Sequence, residues 1–391
     1  MSGQSARPID VLFIITALGV GGSERQLTML ASALPRADFK VAVYAFQDGP
    51  VRAELEAADV EVMLAPWAGE GHPFGVPKIA LDLFRIMRRR RPRIVHFFLP
   101  AAYLVGAPMA VLAGVPLRVM SRRSLNNYQR YATLRGFERC CHRAMHAILG
   151  NSRSVINELR EEGVSPERLG LIYNGIDVQT SPIERGAARA GLGLSSPGLV
   201  MSVIANLIPY KGHSDLIDAL AQAAPHLPAG WRLLVVGRDD GIGETLREQA
   251  GHLGLADHIL FMGPRDDVAA ILAASDIGIL CSHEEGFSNA VLEGMAARLP
   301  MVVTRVGGNA EAVIDGETGI VVPPRAPAEL AAGILRLATD PDLRARFGAA
   351  GRHRVEKEFR VDRFVQAHCA LYRALQAGRS PADIPELVAA A

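Results

Sequence analysis

Cysteine, net charge and long apolar runs are all scarce in this sequence. Its four cysteines, Cys140, Cys141, Cys281 and Cys369, lack C-x-x-C spacing and a disulfide framework, so a reducing cytoplasm is expected. The formal net charge of +1 gives no overall attraction to nucleic acid. No apolar run approaches the roughly 20 residues that span a bilayer, and the run 11–20 lacks the small-residue cleavage site of a signal peptide. Secreted, membrane-spanning and nucleic-acid-binding classes are therefore disfavoured.

The remaining composition is typical of a globular protein whose apolar residues occur in short runs. The chain has 391 residues, of which 49% are hydrophobic, enough for two or three cores. Runs such as IDVLFIIT, KVAVYAF and RIVHFF, and later GLVMSVIA, WRLLVVG and IGILCS, alternate with helical patterns. This alternation predicts an α/β fold with parallel sheets covered by helices on both faces. Two doubly wound, Rossmann-like domains are expected, with a ligand crevice at the carboxyl ends of the strands.

The alternation lapses once, and this sets the expected domain boundaries. Residues 181–197 are rich in Gly, Ser and Pro and are interpreted as a linker. The N-terminal domain is expected to cover residues 1–180 and the C-terminal domain residues 198–358. Residues 359–391 include an amphipathic helical pattern over 362–376, which is predicted to pack back across the domains.

The first apolar run ends in a glycine-rich segment, TALGVGGSERQL. Gly19, Gly21 and Gly22 begin a dinucleotide-binding pattern, but Glu24 occupies its last glycine position, which disfavours NAD. Gly21 and Gly22 can still bring the backbone close to a ligand, and the following helix offers N–H groups to an anion. A tight strand-to-helix turn without a ligand is the alternative.

Basic residues follow two apolar runs in the second half. Lys211 directly precedes a helix that is expected to begin near His213, and Arg238 ends the run WRLLVVGR. An ammonium group beside a helix N-terminus suits phosphate oxygens. A solvated surface position is the alternative for either residue taken alone.

The segment HEEGFSNAVLEGMA, residues 283–296, follows the run IGILCS. Ser288 is a good N-cap, which places Glu293 in the second turn of a short helix and makes the amides of residues 287–289 donors to an anion. Glu285 and Glu293 are suited to accept hydrogen bonds from sugar hydroxyls. Solvent exposure is the alternative, and it is the interpretation adopted for Glu284.

Five segments together resemble the family 4 glycosyltransferases, which have the GT-B fold. They are the GGSE loop, the NGID segment at 174–177, Lys211-Gly212, EGFSNAVLEGMA with its E-x7-E spacing, and GGNAEAVIDGETGIVVPP. The resemblance covers nearly the whole chain. It implies a retaining hexosyl- or hexosaminyltransferase whose donor is a nucleotide-diphosphate sugar held by the C-terminal domain. The acceptor would be held mainly by the N-terminal domain, and no cofactor is expected.

The resemblance also implies roles for individual residues. Glu293 would bind the ribose, Glu285 the donor sugar and Lys211 the diphosphate, with the base near residues 263–266. The implied donor-binding residues are Gly21, Gly22, Asn206, Lys211, Arg238, Gly263, Arg265, Glu285, Gly286, Phe287, Ser288, Asn289 and Glu293. The implied catalytic residues are Glu285, Lys211, Arg122 and Arg123. The implied acceptor-binding residues are His96, Arg122 and Arg123.

Two departures from the family pattern concern the phosphates and the sugar. Asn206 stands in an A-N-L triplet where many relatives have the arginine of G-R-L, so Arg238 or Arg122 is expected to supply the missing charge. Arg122, Arg123 and Ser124 follow the run LRVMS, where relatives often have a histidine near the donor sugar. The identity of the transferred sugar therefore does not follow from the resemblance.

Glycoside hydrolysis, epimerisation of a nucleotide sugar and binding without catalysis are the alternatives to sugar transfer, and the need for a metal is a separate question. The aspartate pairs at 239–240 and 266–267 come without histidine or a further spaced acid, so no metal is expected. A retaining hydrolase needs carboxyl groups about 5 Å apart, whereas the eight positions from Glu285 to Glu293 rise about 12 Å in a helix. A nucleotide-sugar epimerase of the same fold and a non-catalytic nucleotide-sugar-binding protein stay open.

Positive charge is concentrated between Lys78 and Arg143, where there are fourteen Lys and Arg residues and two acids, Asp82 and Glu138. The densest part is MRRRRPR, residues 87–93, and a solvated helix end is one interpretation of it. Together with the resemblance, the favoured interpretation is peripheral attachment to the anionic inner face of the cytoplasmic membrane, where each Lys or Arg contributes about 1 kcal/mol. A saccharide or lipid-linked saccharide acceptor in cell-surface polysaccharide synthesis is then expected.

Overall fold

The computed structural model describes residues 9–66, 75–124, 132–178, 183–194 and 198–388. The chain forms two compact units. The first comprises Met1–Gly175 together with Val361–Ala391, and the second comprises Ile176–Arg360. The polypeptide therefore completes the second unit before it returns to the first.

The described residues of the first unit form a parallel sheet of seven strands. The strands are β1 (Val11–Ala17), β2 (Val41–Gln47), β3 (Glu61–Leu64), β4 (Ile94–Phe98), β5 (Leu117–Arg122), β6 (Ala147–Gly150) and β7 (Leu169–Leu171). Their order in the sheet is β3-β2-β1-β4-β5-β6-β7. Val11 is in register with Val41 on one side and with Ile94 on the other, both in parallel pairs. A parallel sheet is covered on both faces, which explains why its strands are nearly continuous apolar runs.

Helices cover both faces of this sheet. They are α1 (Gly22–Ala33), α2 (Arg52–Ala57), α3 (Gly75–Arg90), α4 (Pro100–Leu112), α5 (Ala132–Arg143) and α6 (Arg153–Glu161). Val11 and Phe13 belong to the buried cluster on one face, and Leu12 and Ile14 to the cluster on the other, as the two-residue period of a strand requires. In the part of the chain that the structure describes, we find no helix with the length and apolar character needed to cross a membrane.

The described residues of the second unit form a parallel sheet of six strands. The strands are β8 (Val200–Ile204), β9 (Arg232–Val236), β10 (Ile259–Gly263), β11 (Ile277–Leu280), β12 (Met301–Thr304) and β13 (Gly319–Val322). Their order is β10-β9-β8-β11-β12-β13. The helices are α7 (Arg185–Gly191), α8 (His213–Ala223), α9 (Gly243–His252), α10 (Val268–Ala274), α11 (Asn289–Ala296), α12 (Asn309–Ala312), α13 (Pro327–Ala338) and α14 (Pro341–Glu358). Two α/β units with parallel sheets agree with the fold class that the sequence predicts.

The linker predicted over residues 181–197 is corrected by the structure, because α7 lies within it. Arg185 and Arg189 of this helix form ion pairs with Asp276 at 2.9 Å and 2.6 Å. Leu192 and Leu194 pack against a buried cluster of the second unit. Residues 183–194 are therefore part of that unit, and residues 181–182 and 195–197 lie outside the described residues.

The helix α15 (Val361–Gln376) returns the chain to the first unit, and it confirms the helical pattern predicted over 362–376. Phe364, Leu371 and Tyr372 are buried in the same cluster as Val11 and Phe13. The C-terminal helix thus completes one face of the first sheet. Its predicted packing across both domains stays a prediction.

Candidate functional site

The strands β8, β9, β10 and β11 end at one edge of the second sheet, because they all run parallel. β8 and β11 are neighbours in this sheet although two other strands separate them in sequence. In open α/β sheets, ligands bind at such a reversal of strand order. The predicted donor-binding residues of this unit all lie at these strand ends, in the loops that follow or in α11: Asn206, Lys211, Arg238, Gly263, Arg265, Glu285, Gly286, Phe287, Ser288, Asn289 and Glu293.

Lys211, from the loop after β8, and Glu285, from the loop after β11, are in direct contact. Lys211 Nζ donates to Glu285 Oε1 at 2.6 Å, and Ser282 Oγ donates to the same oxygen at 2.7 Å. Only 18% of the Lys211 side chain and 10% of the Glu285 side chain are exposed. Burial lowers the pKa of Lys211, but the charge and the hydrogen bond of Glu285 outweigh burial, so the pKa is raised. A charged ammonium is therefore fixed where the strand order reverses.

The turn after Lys211 requires glycine. Gly212 has a φ of 71°, and a Cβ at this residue would lie 2.1 Å from Cys281 O. Two hydrogen bonds join the turn to the end of β11, from Cys281 Sγ to Lys211 O at 3.3 Å and from His283 N to Tyr210 O at 2.7 Å. The Lys-Gly sequence thus allows the two loops to approach closely enough for the ion pair to form.

A second glycine supports Glu285 from the loop after β12. Gly307 has a φ of 49°, and a Cβ there would lie 1.8 Å from Glu285 O. The next residue, Gly308, donates its N–H to Gly286 O at 2.8 Å. A side chain at position 307 would displace the backbone that carries Glu285, which accounts for the Gly-Gly pair in this loop.

The helix α11 begins where the sequence predicts. Ser288 is the N-cap, and its side chain accepts from Val291 N at 3.4 Å. Phe287 is buried against Phe359, with ring centroids 5.4 Å apart. Glu293 follows in the second turn and is half-buried. The first turn of α11 is therefore anchored next to the loop that holds Glu285.

Asn206 connects the loops after β8 and β9. Its Oδ1 accepts from Arg238 N at 3.1 Å, and its carbonyl oxygen accepts from His213 Nε2 at 3.1 Å. Burial lowers the pKa of His213, which favours the neutral ring in this position. Asn206 thus links the loop after β8 to the loop after β9. Its neutral amide does not supply the positive charge of the arginine that many relatives have at this position.

Arg238 and Arg265, the two other basic residues predicted to bind the donor, are exposed and form ion pairs with aspartates. Arg238 lies 2.7 Å from Asp240 and Arg265 lies 2.6 Å from Asp267, and exposed pairs of this kind contribute little to stability. Asp239 accepts from three successive backbone N–H groups at the start of α9. Three of the four aspartates considered as metal ligands thus have other partners. Among the described residues, no group of three or more His, Cys, Asp or Glu is placed to hold a metal ion.

The glycine loop of the first unit forms the start of α1. Gly21 is the N-cap, and Gly22 is the first helical residue. A Cβ at Gly21 would lie 2.5 Å from Glu24 Oε2, so the glycine leaves room for this carboxylate. Glu24 is half-buried, and burial raises its pKa. Glu24, whose presence disfavours a dinucleotide site, is therefore held close to the glycine loop.

The catalytic, acceptor-binding and phosphate-binding roles predicted for Arg122 are corrected by its position. Its guanidinium donates to Glu138 Oε1 at 2.5 Å and to Glu162 Oε1 at 2.6 Å. Only 2% of the Arg122 side chain and none of the Glu138 side chain is exposed. Successive residues of a strand point to opposite faces of the sheet, which directs Arg122 towards α5 and leaves Arg123 on the other face. Arg122 is an internal counter-ion and cannot reach a ligand in this conformation.

The acceptor-binding role predicted for His96 is corrected for the same reason. His96 is fully buried, and its two ring nitrogens are hydrogen-bonded to Tyr372 Oη at 2.7 Å and to Ser121 Oγ at 2.8 Å. Burial holds the pKa of His96 well below its usual range, so the imidazole is neutral. His96 joins β4 and β5 to the C-terminal helix. Its central position in the apolar run RIVHFF was the sequence sign of this burial.

Arg123 keeps a position at the carboxyl edge of the first sheet. It is half-buried, and its Nη2 donates to Asn174 Oδ1 at 2.5 Å. The adjacent Gly175 is bound by Gln26, whose Nε2 donates to Gly175 O at 2.6 Å and whose Oε1 accepts from Gly175 N at 2.9 Å. Sequence analysis missed this connection between α1 and the NGID segment. The sequence carries no local sign of it, because Gln26 and Gly175 are 149 positions apart.

Residues 20–180 match the family model described as Glycosyltransferase Family 4, and residues 185–354 match the model described as Glycosyl transferases group 1. Among solved structures, HepE of Anabaena in complex with UDP has a TM-score of 0.81 and 25% sequence identity, covering 94% of this chain and 100% of that one.

Two curated proteins show similarity at the sequence level. The D-inositol 3-phosphate glycosyltransferase of Streptomyces bingchenggensis is 32% identical over 241 residues, which are 59% of this chain and 53% of that protein. The N-acetyl-alpha-D-glucosaminyl L-malate synthase of Bacillus anthracis is 29% identical over 290 residues, which are 71% of this chain and 73% of that protein. The chain spans about half the length of the first of these relatives.

Proposed function

This chain belongs to the family 4 glycosyltransferases and has their GT-B fold, and we propose on this basis that it is a retaining glycosyltransferase. It takes a sugar from a nucleotide-diphosphate sugar and transfers it to a saccharide or lipid-linked saccharide. The observation that carries the proposal is the fixed pair of Lys211 and Glu285 at the reversal of strand order in the second sheet. A cation beside a carboxylate suits a ligand in which a diphosphate adjoins a sugar.

The donor is assigned to the second unit. Lys211 and the N–H groups of residues 287–289 bind the diphosphate, because a cation and a helix N-terminus both favour phosphate oxygens. Glu285 accepts from hydroxyls of the sugar, Glu293 accepts from the ribose, and the base lies near residues 263–266. The similarity to HepE in complex with UDP supports a uridine nucleotide as the first donor to test.

The demanding step is departure of the nucleoside diphosphate. The bond between the anomeric carbon and the phosphate oxygen breaks with its electron pair on the phosphate, while positive charge develops on the sugar. A cation that is already in place stabilises the departing group without further reorganisation. Lys211 fulfils this condition because Glu285, Gly212 and the loop after β11 fix it before the donor binds.

Incubation of the purified chain with a panel of nucleotide sugars, with and without saccharide acceptors, tests the proposal. Thermal shifts with nucleoside diphosphates select the base beforehand, since a ligand of the native state raises the apparent stability. Release of nucleoside diphosphate that depends on the acceptor is expected. A sugar isomer formed without acceptor would identify an epimerase. Binding without turnover for every acceptor would identify a non-catalytic binding protein.

Replacement of Glu293 by alanine is expected to weaken UDP binding about 10- to 100-fold, because hydrogen bonds to a charged group contribute about 1.5–3 kcal/mol. Titration calorimetry with UDP measures the effect. Glu317→Ala is the matched control, since Glu317 is an exposed acid of the same unit. An unchanged UDP affinity in folded Glu293→Ala would exclude the ribose role.

A peripheral position on the inner face of the cytoplasmic membrane is the second part of the proposal. In the basic run 88–91 at the end of α3, Arg90 is bound to Glu61 at 2.5 Å, whereas the other three arginines are exposed. α4 packs against α3 and ends in Val111 and Leu112, of which 46% and 67% are exposed. Exposed apolar side chains at the end of one helix and exposed arginines at the end of the helix that packs against it suit an anionic lipid surface. The acceptor is then a lipid-linked saccharide of cell-surface polysaccharide synthesis.

Replacement of Arg88, Arg89 and Arg91 by glutamine is expected to weaken binding to anionic vesicles roughly 100-fold, because each arginine contributes about 1 kcal/mol at such a surface. Co-sedimentation with vesicles that contain phosphatidylglycerol, over a salt series, measures the effect. The control replaces three exposed arginines of the second unit, Arg325, Arg336 and Arg346. If the wild type does not bind these vesicles even at low salt, the acceptor is soluble.

Arg130 of the basic stretch lies outside the described residues.

A further inference from the structure

The carboxyl edge of the first sheet carries a half-buried arginine, Arg123, for which the described part of the chain provides no acidic ion-pair partner. Arg123 donates to the side-chain oxygen of Asn174 and lies over the ring of Phe98, 5.7 Å from its centroid. Among the described residues, no carboxylate comes within ion-pair distance of its guanidinium. An amide oxygen carries only a partial charge, so the positive charge of Arg123 is left without full compensation.

The two histidines nearest to Arg123 add no charge to this part of the first unit. His96 and His368 are buried near Arg123, and burial is the main cause that lowers the pKa of both, to about 3 for His368, with a smaller contribution from the charge of Arg123. Both rings are therefore neutral. The guanidinium itself remains protonated at neutral pH, because burial lowers the pKa of Arg123 only to about 9.

Arg123 and Glu24 are held on one rigid frame. Asn151 donates to the side-chain oxygen of Asn174 and to the backbone oxygen of Arg123, each at 3.4 Å. The paired hydrogen bonds between Gln26 and the residue after Asn174 fix the first turn of α1 to the same segment. Glu24 belongs to that turn, and its charge acts on Arg123 without a direct ion pair. The frame thus holds a cation and a carboxylate in one region, where each acts on the charge of the other without forming an ion pair.

We propose that Arg123 binds an oxyanion of a substrate, a phosphate or a carboxylate, while Glu24 accepts a hydrogen bond from a neighbouring hydroxyl. The substrate on the first unit is then a hydroxylated anion. The guanidinium fork can donate two parallel hydrogen bonds to two oxygens of a phosphate or a carboxylate, and the neighbouring hydroxyl donates its proton to the carboxylate of Glu24. This inference rests on the proposed function, because it specifies the chemical class of the acceptor. The diphosphate of the donor is the other source of the same oxyanion chemistry.

Titration calorimetry on the full chain tests the inference with three probes: inorganic phosphate, D-inositol 3-phosphate and uncharged inositol. Saturating UDP occupies the donor site during these titrations, and the affinity for UDP is measured separately. The variants are Arg123→Gln, Arg123→Lys and Glu24→Gln. The matched control is Arg139→Gln, because Arg139 is an exposed arginine of the same unit.

The wild type and the control are expected to bind both phosphates, and Arg123→Gln to bind them about 10- to 100-fold more weakly. The phosphate affinity of Arg123→Lys is expected to lie between those of the wild type and Arg123→Gln, because lysine keeps the positive charge but lacks the guanidinium fork. Glu24→Gln should weaken the binding of D-inositol 3-phosphate but not that of inorganic phosphate, which has no hydroxyl group to donate to Glu24 and is repelled by its charge. Uncharged inositol should not bind detectably.

A loss of UDP affinity in Arg123→Gln, with no effect on the phosphates, would assign the oxyanion to the donor. Equal affinities of Arg123→Gln and the wild type for all probes and for UDP would overturn the inference. A wild type that binds the phosphates but neither binds UDP nor transfers sugar would remove the proposed function and leave the oxyanion site of Arg123 in place. Circular dichroism of each variant establishes that it is folded.

Discussion

Replacement of Lys211 by alanine is expected to lower kcat for sugar transfer by roughly 100- to 1,000-fold, the range seen when one preorganised group at a developing anion is removed. The charge of Lys211 is needed most when the diphosphate leaves, so the change in kcat should exceed the change in KM for the donor. Steady-state kinetics at varied donor concentration measure both. A raised KM with an unchanged kcat would contradict this role.

The ion pair between Lys211 and Glu285 makes a second variant necessary. Lys211→Ala leaves the carboxylate of Glu285 without its cation, and this carboxylate then repels the phosphates of the donor. The double variant Lys211→Ala with Glu285→Gln removes that repulsion. UDP affinity is therefore expected to recover in the double variant, whereas kcat is not. Recovery of kcat would mean that Lys211 acts only by neutralising Glu285.

Replacement of Arg122 by leucine is expected to lower the free energy of unfolding by about 3–5 kcal/mol, because it leaves buried carboxylates without their cation. Glu138 has no exposed side-chain surface, and Glu162 is also largely buried. Burial raises the pKa of Glu162, but the hydrogen bonds of His142 and Arg122 outweigh burial and lower it. Urea titration of the variant and the wild type measures the loss of stability.

Two further variants separate a structural role of Arg122 from a catalytic one. Arg135→Leu removes an exposed arginine of the same helix that carries Glu138, and its effect should stay within about 0.5 kcal/mol. Adding Glu138→Gln to Arg122→Leu should recover part of the stability, since a neutral amide needs no cation. If Arg122→Leu proved as stable as the wild type but inactive in transfer, the catalytic role inferred from sequence would be restored.

The sheets and the start of α11 could be predicted because their causes are local. Apolar runs such as IDVLFIIT identify strands that are covered on both faces, and a serine before NAVLEGMA identifies a helix start through its own side chain. The helix α7 could not be predicted in this way. Its partner Asp276 is distant in sequence, and the surrounding Gly and Ser residues have the composition of a linker.

The contacts of the candidate site depend on the order of the strands, and sequence does not reveal this order. Lys211 and Glu285 were both expected at strand ends, but their direct contact requires β8 and β11 to be neighbours. Arg122 and Arg123 are identical in type and adjacent, so composition cannot distinguish the inner from the outer one. Glu138, one of the two acids in the basic stretch, was an available sign of a buried partner.

The division of the first unit between the two ends of the chain has a consequence for folding on the ribosome. At translation rates of about 5–20 residues per second, the stretch Ile176–Arg360 takes roughly 10–40 s to synthesise. During that time the second unit can fold as a continuous segment. The nascent first unit, however, lacks Phe364 and Tyr372, which share a buried cluster with Phe13. Part of one face of its sheet therefore stays exposed to water until α15 emerges, so the first unit reaches its native packing only after the second unit has been synthesised.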